Sequence, residues 1–202
     1  MIPLLCFLFL IQDARADVDD ISFRACWIAA LTDPQKLATL TRERAANPRL
    51  QKCVYWLATV KQRGGDPAKI IDDANEQNKV SGKPYGEFLK TQLLRNLKIA
   101  EELGLVNPEG LAELRKGKCA TITLGPYKGE EATADHIIPR AICPELDNQI
   151  FNLELLPSTL NSSKSDKIGD RQVDFAEKLN KTGLLSQAGL DAVLAKARQP
   201  SP

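Results

Sequence analysis

The chain has 202 residues, 43% of them hydrophobic, and its 27 Lys and Arg nearly balance 26 Asp and Glu, for a net charge of +1. That length and apolar content are those of a globular chain with one real core or two small ones. The near-neutral balance excludes a surface that attracts polyanions everywhere, so any contact with nucleic acid must come from a local patch.

The chain opens on MIPLLCFLFLI, an apolar run too short to span a bilayer as a helix. QDARAD follows, and Ala14 and Ala16 make the small-x-small pattern of a signal-peptidase site. Residues 1–16 are therefore expected to be a signal peptide, with a secreted or periplasmic product beginning at Asp17. No Lys or Arg precedes the apolar run, and an uncleaved anchor or a buried N-terminal helix is the rival reading. No later stretch approaches membrane-spanning length.

Residues 17–117 read as a helical region. CWIAALTD is apolar and ends near Asp33. Asp33-Pro34, Asn47-Pro48, Asp66-Pro67 and Asn107-Pro108 each pair a capping side chain with a proline suited to the first helical turn. They predict helices over DPQKLATLTRERAA, NPRLQKCVYWLATVKQR, DPAKIIDDANEQNKV and NPEGLAELRKG. KPYGEFLKTQLLRNLKIAEELG is the clearest helix. Its Phe88, Leu89, Leu93, Leu97, Ala100 and Leu103 recur at three- and four-residue steps, and Gly104 suits the left-handed closing position. Trp27, Tyr55 and Trp56 fall among apolar helical residues and read as core.

The texture changes near residue 118. CATITLGPYKG, EEATADHIIP and NQIFNLELLP read as strands. STLNSSKSDKIGDRQVDFAEKLNKTG then turns helical with Ser158 as its cap, and SQAGLDAVLAKARQ makes a last helix capped by Ser186. The order of helices, short strands, then helices predicts an α+β fold, mostly helical with a small hairpin embedded in it. Residues 118–202 form the second region.

Of five cysteines, Cys6 lies in the leader. The even remainder suits an oxidising compartment, and Cys26–Cys53 and Cys119–Cys143 are the favoured disulfides because each pair falls within one unit. A structural zinc site is the rival, but no two cysteines show the close spacing of zinc ligands.

TADHIIPRA contains the only histidine, His136, directly after Asp135. Histidine can deprotonate water near neutral pH, and a divalent cation held by hard oxygen ligands can neutralise charge building on a phosphate. Neighbours on a strand point to opposite faces, so both residues serve one site only if the strand ends or bends there. A second oxygen ligand must come from elsewhere, and Asn161, three residues past Ser158, lies in the first turn of a helix.

These residues carry a resemblance. DHIIPRA…DNQIFNLELLPSTLNSSKSDK resembles the HNH endonuclease motif, the ββα-metal fold, in its Asp-His…Asn…Asn variant. The likeness covers Asp135 to Lys167 and says nothing of residues 17–117. It implies that the hairpin and helix of the C-terminal half form an HNH unit, with Asp135 and Asn161 as metal ligands, His136 as general base and Asn152 as the asparagine that ties the hairpin loop and orients the base. Lys164 matches the lysine of the closing N-x-x-K. Arg140, Lys164 and Lys167 are candidate phosphate contacts, with Lys116, Lys118 and Lys128 a weaker basic strip. The implied cofactor is Mg²⁺, with Mn²⁺ an alternative. The implied activity is an exported endonuclease that hydrolyses phosphodiester bonds of nucleic acid, double-stranded DNA foremost. Two alternatives stand beside it: a secreted nucleic-acid-binding module without catalysis, and an antibacterial nuclease toxin partnered by an immunity protein. Two departures from the family are plain: C-x-x-C zinc pairs are absent, and Asn replaces the commoner His on the helix.

Overall fold

The computed structural model describes residues 23–164 and 166–199; the expected signal peptide lies outside them. Residues 23–32 are helical and form α1. Asp33 then caps α2 (Pro34–Ala38), accepting from the amide of Gln35 at 2.9 Å. α3 (Asn47–Gln62), α4 (Pro67–Gln77), α5 (Pro84–Glu102) and α6 (Pro108–Lys116) follow. Asp66 and Asn107 cap α4 and α6 through their side-chain oxygens, as the Asp/Asn-Pro pattern predicts. Gly104 closes α5 at φ 69°, and a Cβ there would meet Thr123 Oγ1 at 2.3 Å, so both backbone and space require glycine.

The sheet is antiparallel, three-stranded and ordered β1-β2-β3, built from β1 (Ala120–Thr121), β2 (Glu131–His136) and β3 (Leu153–Pro157). In register, Asp135 lies opposite Glu154 and His136 opposite Leu153. α7 (Ser158–Lys164) leaves β3 directly, and α8 (Asp170–Lys181) and α9 (Gln187–Ala197) complete the described chain. The fold is α+β, mostly helical with a small antiparallel sheet.

Two apolar clusters hold these elements. The larger joins Leu50, Leu57, Ile70 and Leu93 of the helices to Ala132, Leu153 and Leu155 of the sheet. The smaller packs Ile138, Leu146 and Phe151, from the connection between β2 and β3, against Leu179 and Val193 of the last two helices. The larger core therefore spans the expected boundary at residues 117/118. α5 also closes the free edge of β3: the Asn96 amide donates to the Leu153 carbonyl at 2.9 Å and accepts from the Leu155 amide at 2.8 Å, replacing a neighbouring strand.

Several sequence expectations are corrected. The helix from Asp33 stops at Ala38 because Thr41-Arg-Glu-Arg44 is exposed and offers no apolar face to bury. Asn47 begins α3 but does not cap it; its Nδ2 donates instead to the Ala134 carbonyl at 2.7 Å, tying α3 to β2. Ser158 is helical, and Glu130 does the capping, accepting from the Thr159 amide at 3.0 Å and from the Ser158 and Thr159 hydroxyls. The strands are shorter than expected, and residues 150–152 form a 3-10 turn before β3. Trp27 is not core: it is 45% exposed and stacks on Trp56, with ring centroids 5.9 Å apart.

Neither expected disulfide forms; Cys26, Cys53, Cys119 and Cys143 are all free thiols. Cys26 faces solvent whereas Cys53 is buried in the larger core. Cys143 belongs to the smaller core and donates to the Gly189 carbonyl, while Cys119 meets Gln51 beside an open groove. Each pair is near in sequence but divided between environments. Burial pushes the Cys53 thiol up to about 12 and the Cys143 thiol to about 11. Among the described residues, no helix is long and apolar enough to cross a membrane.

Candidate active site

β2 ends at His136, which is the condition under which adjacent Asp135 and His136 can face one space. Asp135, His136 and Asn161 all line a single cavity of about 420 Å³, together with Arg44, Pro139, Arg140, Ala141 and Ser162. α7 lies across the Thr133/Asp135 face of β2 in matching steps. Asn161 Nδ2 donates to Thr133 Oγ1 at 2.9 Å, and one helical turn later Lys164 Nζ reaches Asp135 Oδ2 at 2.8 Å. Asn161 Oδ1 and Asp135 Oδ1 take no hydrogen bond from any described residue, so each side chain keeps one oxygen for a ligand.

His136 is 4% exposed, and its Nε2 faces two oxygens of Asp147: the backbone carbonyl at 2.9 Å and Oδ1 at 3.0 Å. Two acceptors at one ring nitrogen place a proton on Nε2, directed at Asp147. The carbonyl takes the hydrogen-bonding geometry, and Oδ1, buried and without another partner, adds negative charge at the imidazole edge. Asp147 was not singled out in the sequence. It lies far along the connection between β2 and β3, and nothing local marks it as the partner of His136.

Asn152 is fully buried and touches backbone, not the imidazole. Its Oδ1 accepts from the Ile138 amide at 2.9 Å, and its Nδ2 donates to the Ile138 carbonyl at 3.0 Å and the Leu146 carbonyl at 3.4 Å. Its own carbonyl accepts from Ile137 at 2.7 Å. It therefore clips both ends of the connection that carries Asp147, and acts on His136 only through that loop.

Lys164 has a different setting from an open phosphate contact. Besides Asp135 it donates to the His136 carbonyl, and its Nζ lies 3.9 Å from Glu154 Oε1. Glu154 is buried, and Arg171 holds it through both terminal guanidinium nitrogens while Arg95 stands at 3.8 Å. Arg140 lines the cavity but is ion-paired with Glu43 at 2.6 Å. Lys167 is exposed and lines no part of this cavity. Arg44, by contrast, went unmarked in the sequence. It lines both this cavity and an adjoining groove of about 960 Å³ that also takes in Arg42, Asn47, Gln51, Lys118 and Asn161. Its φ of 55° is one of two positive values at non-glycine residues among those described, a conformation that costs free energy for a side chain with a Cβ.

Among the described residues, no group of three or more His, Cys, Asp or Glu side chains is gathered to hold a metal ion. The donors at this corner are one carboxylate and one amide oxygen. That hard, sparse set fits Mg²⁺ or Mn²⁺ with water and phosphate oxygens filling the remaining positions, and does not fit a closed structural zinc site. No protein-family model, curated protein or solved structure matches the chain.

Proposed function

We propose that this protein is a metal-dependent phosphodiester hydrolase of the HNH type, an exported endonuclease acting on nucleic acid, with DNA as the first substrate to test. The observation that carries the reading is the convergence of Asp135, His136 and Asn161, from a strand end and a separate helix, on one open cavity. The antiparallel pairing of β2 with β3 and the helix α7 that follows support the reading.

Asp135 and Asn161 are the residues that would hold a divalent cation, through the oxygens that take no hydrogen bond. The cation, when bound, neutralises charge on the phosphate and on the departing oxygen. His136 Nδ1 removes a proton from the attacking water as the new oxygen–phosphorus bond forms and the bond to the leaving oxygen breaks. The leaving oxygen takes its proton from solvent. The Asp147 carbonyl keeps Nε2 protonated, and the Asp147 carboxylate steadies the imidazolium that results. Arg44 contacts phosphate in the cavity, and the adjoining groove takes the flanking strand, with Arg42 and Lys118 near its phosphates.

The deciding experiment is plasmid nicking by the purified protein across Mg²⁺, Mn²⁺ and Zn²⁺. Cleavage should be abolished by EDTA and fall about 10²–10⁴-fold in His136→Ala; EDTA-sensitive cleavage reduced by less than about tenfold in this variant removes the assignment. A second reading, a nucleic-acid-binding module without catalysis, draws on the Lys164 ammonium that already occupies Asp135 Oδ2. Retardation of DNA on a gel, with no nicking under any metal, favours it.

A further inference from the structure

The Asp135–Lys164 pair sets a condition on metal binding. Both side chains are largely buried, with 18% and 14% of their surface exposed and 2.8 Å between Oδ2 and Nζ, so solvent and salt screen the pair weakly. A divalent cation on Asp135 would sit close to that ammonium, and the repulsion between two positive charges at a largely buried site is strong. Glu154 is the direct cross-strand neighbour of Asp135, and Lys164 Nζ already lies 3.9 Å from it. Lys164 can therefore leave Asp135 without becoming an unpaired buried charge. Glu154 is already held by Arg171 and faced by Arg95, so its pull on Lys164 is shared, and in the free protein the lysine rests on Asp135.

We propose that Lys164 is a resident counter-ion for the metal position: it holds Asp135 Oδ2 in the free protein and moves toward Glu154 only when a substrate phosphate brings compensating negative charge, so that divalent metal and nucleic acid bind as a coupled pair. The proposal rests on the metal-dependent reading of this corner. Because coupling is reciprocal, metal tightens nucleic acid by the same factor that nucleic acid tightens metal.

The test is a Mn²⁺ titration of the full chain, followed by the electron-spin signal of free Mn²⁺, with and without a short DNA duplex. His136→Ala serves as the parent so that the duplex stays intact. In the parent, duplex should tighten Mn²⁺ by about tenfold or more, equivalent to about 1.4 kcal/mol. Lys164→Gln should tighten Mn²⁺ by a similar factor without DNA, and duplex should then add less than about threefold. Lys164→Arg, which keeps the charge, should retain the coupling. The proposal is overturned if Lys164→Gln leaves DNA-free Mn²⁺ affinity unchanged or weaker, or if Mn²⁺ binding survives Asp135→Ala. Should Lys164→Gln fail to fold, the parent alone decides, since a duplex with no effect on Mn²⁺ overturns it. Plasmid cleavage by the unsubstituted protein separates the two ideas. Coupling without cleavage keeps the counter-ion and removes the nuclease, and cleavage without coupling does the reverse.

Discussion

The single histidine is held by a residue that offers both a carbonyl and a carboxylate to the same ring nitrogen. This arrangement predicts a graded effect. On the proposed mechanism, Asp147→Asn keeps the carbonyl, and with it the tautomer, but removes the charge that would stabilise the imidazolium. Cleavage should fall by about 10–100-fold with little change in KM, less than the loss where a carboxylate alone fixes the tautomer. A loss as large as that of His136→Ala would show that the carboxylate, not the carbonyl, holds the ring. Arg44 allows a test in which stability and function part. Arg44→Gly relieves the positive φ at that position and should leave thermal stability unchanged or raise it by up to about 1 kcal/mol. It should also weaken DNA binding and lower the slope of log affinity against log salt by about 1. A destabilised Arg44→Gly variant with unchanged salt slope would show Arg44 to be a structural residue.

Each element that presents the site is anchored by a polar side chain from a distant part of the chain. Asn47 ties α3 to β2, Asn96 ties α5 to the edge of β3, and Glu130 caps α7. The last of these gives a pH prediction. Hydrogen bonds from Thr159 and Ser158 hold the Glu130 carboxyl below its ordinary value of 4.5. A carboxyl with a depressed folded-state value contributes stability that is fully present above its unfolded value and lost as pH falls through the folded one. Thermal melts should therefore show Glu130→Gln less stable than the unsubstituted protein at pH 6, with the gap closing as pH drops well below 4.5. A gap that persists at low pH would mean that the carboxylate form is not what caps α7. The same cap explains why Ser158 reads as a cap in the sequence yet sits inside the helix: the turn between β1 and β2 supplies a stronger acceptor.

Across the whole molecule, the helical and sheet-bearing parts share one core, and the last two helices pack on the connection between β2 and β3. The site therefore stands between the two clusters and depends on both. Free thiols distributed through this body replace the expected disulfide staples. Blocking thiols in the native protein at pH 8 and mapping the peptides by mass spectrometry should modify Cys26 first and Cys119 more slowly. Cys53 and Cys143, buried and with raised values, should react only after unfolding. Recovery of a Cys26–Cys53 or Cys119–Cys143 cross-linked peptide from unreduced protein would contradict the fold described here.

Local rules were enough for much of this chain. Asp33, Asp66, Asn107 and Ser186 cap helices as their spacing predicts, because a cap involves residues only two or three apart. The pairing of Asp135 with His136 and the spacing to Asn152 and Asn161 were likewise legible as a pattern. Tertiary structure alone decided which of these side chains meet. The partner of His136, the occupant of Asp135 Oδ2, the positive φ of Arg44 and the separation of the cysteines all depend on how the connection between β2 and β3 is laid down and on how α3, α5 and α7 pack around the sheet. Those placements follow from apolar burial summed over the whole chain, which is non-directional and leaves no mark at any single position.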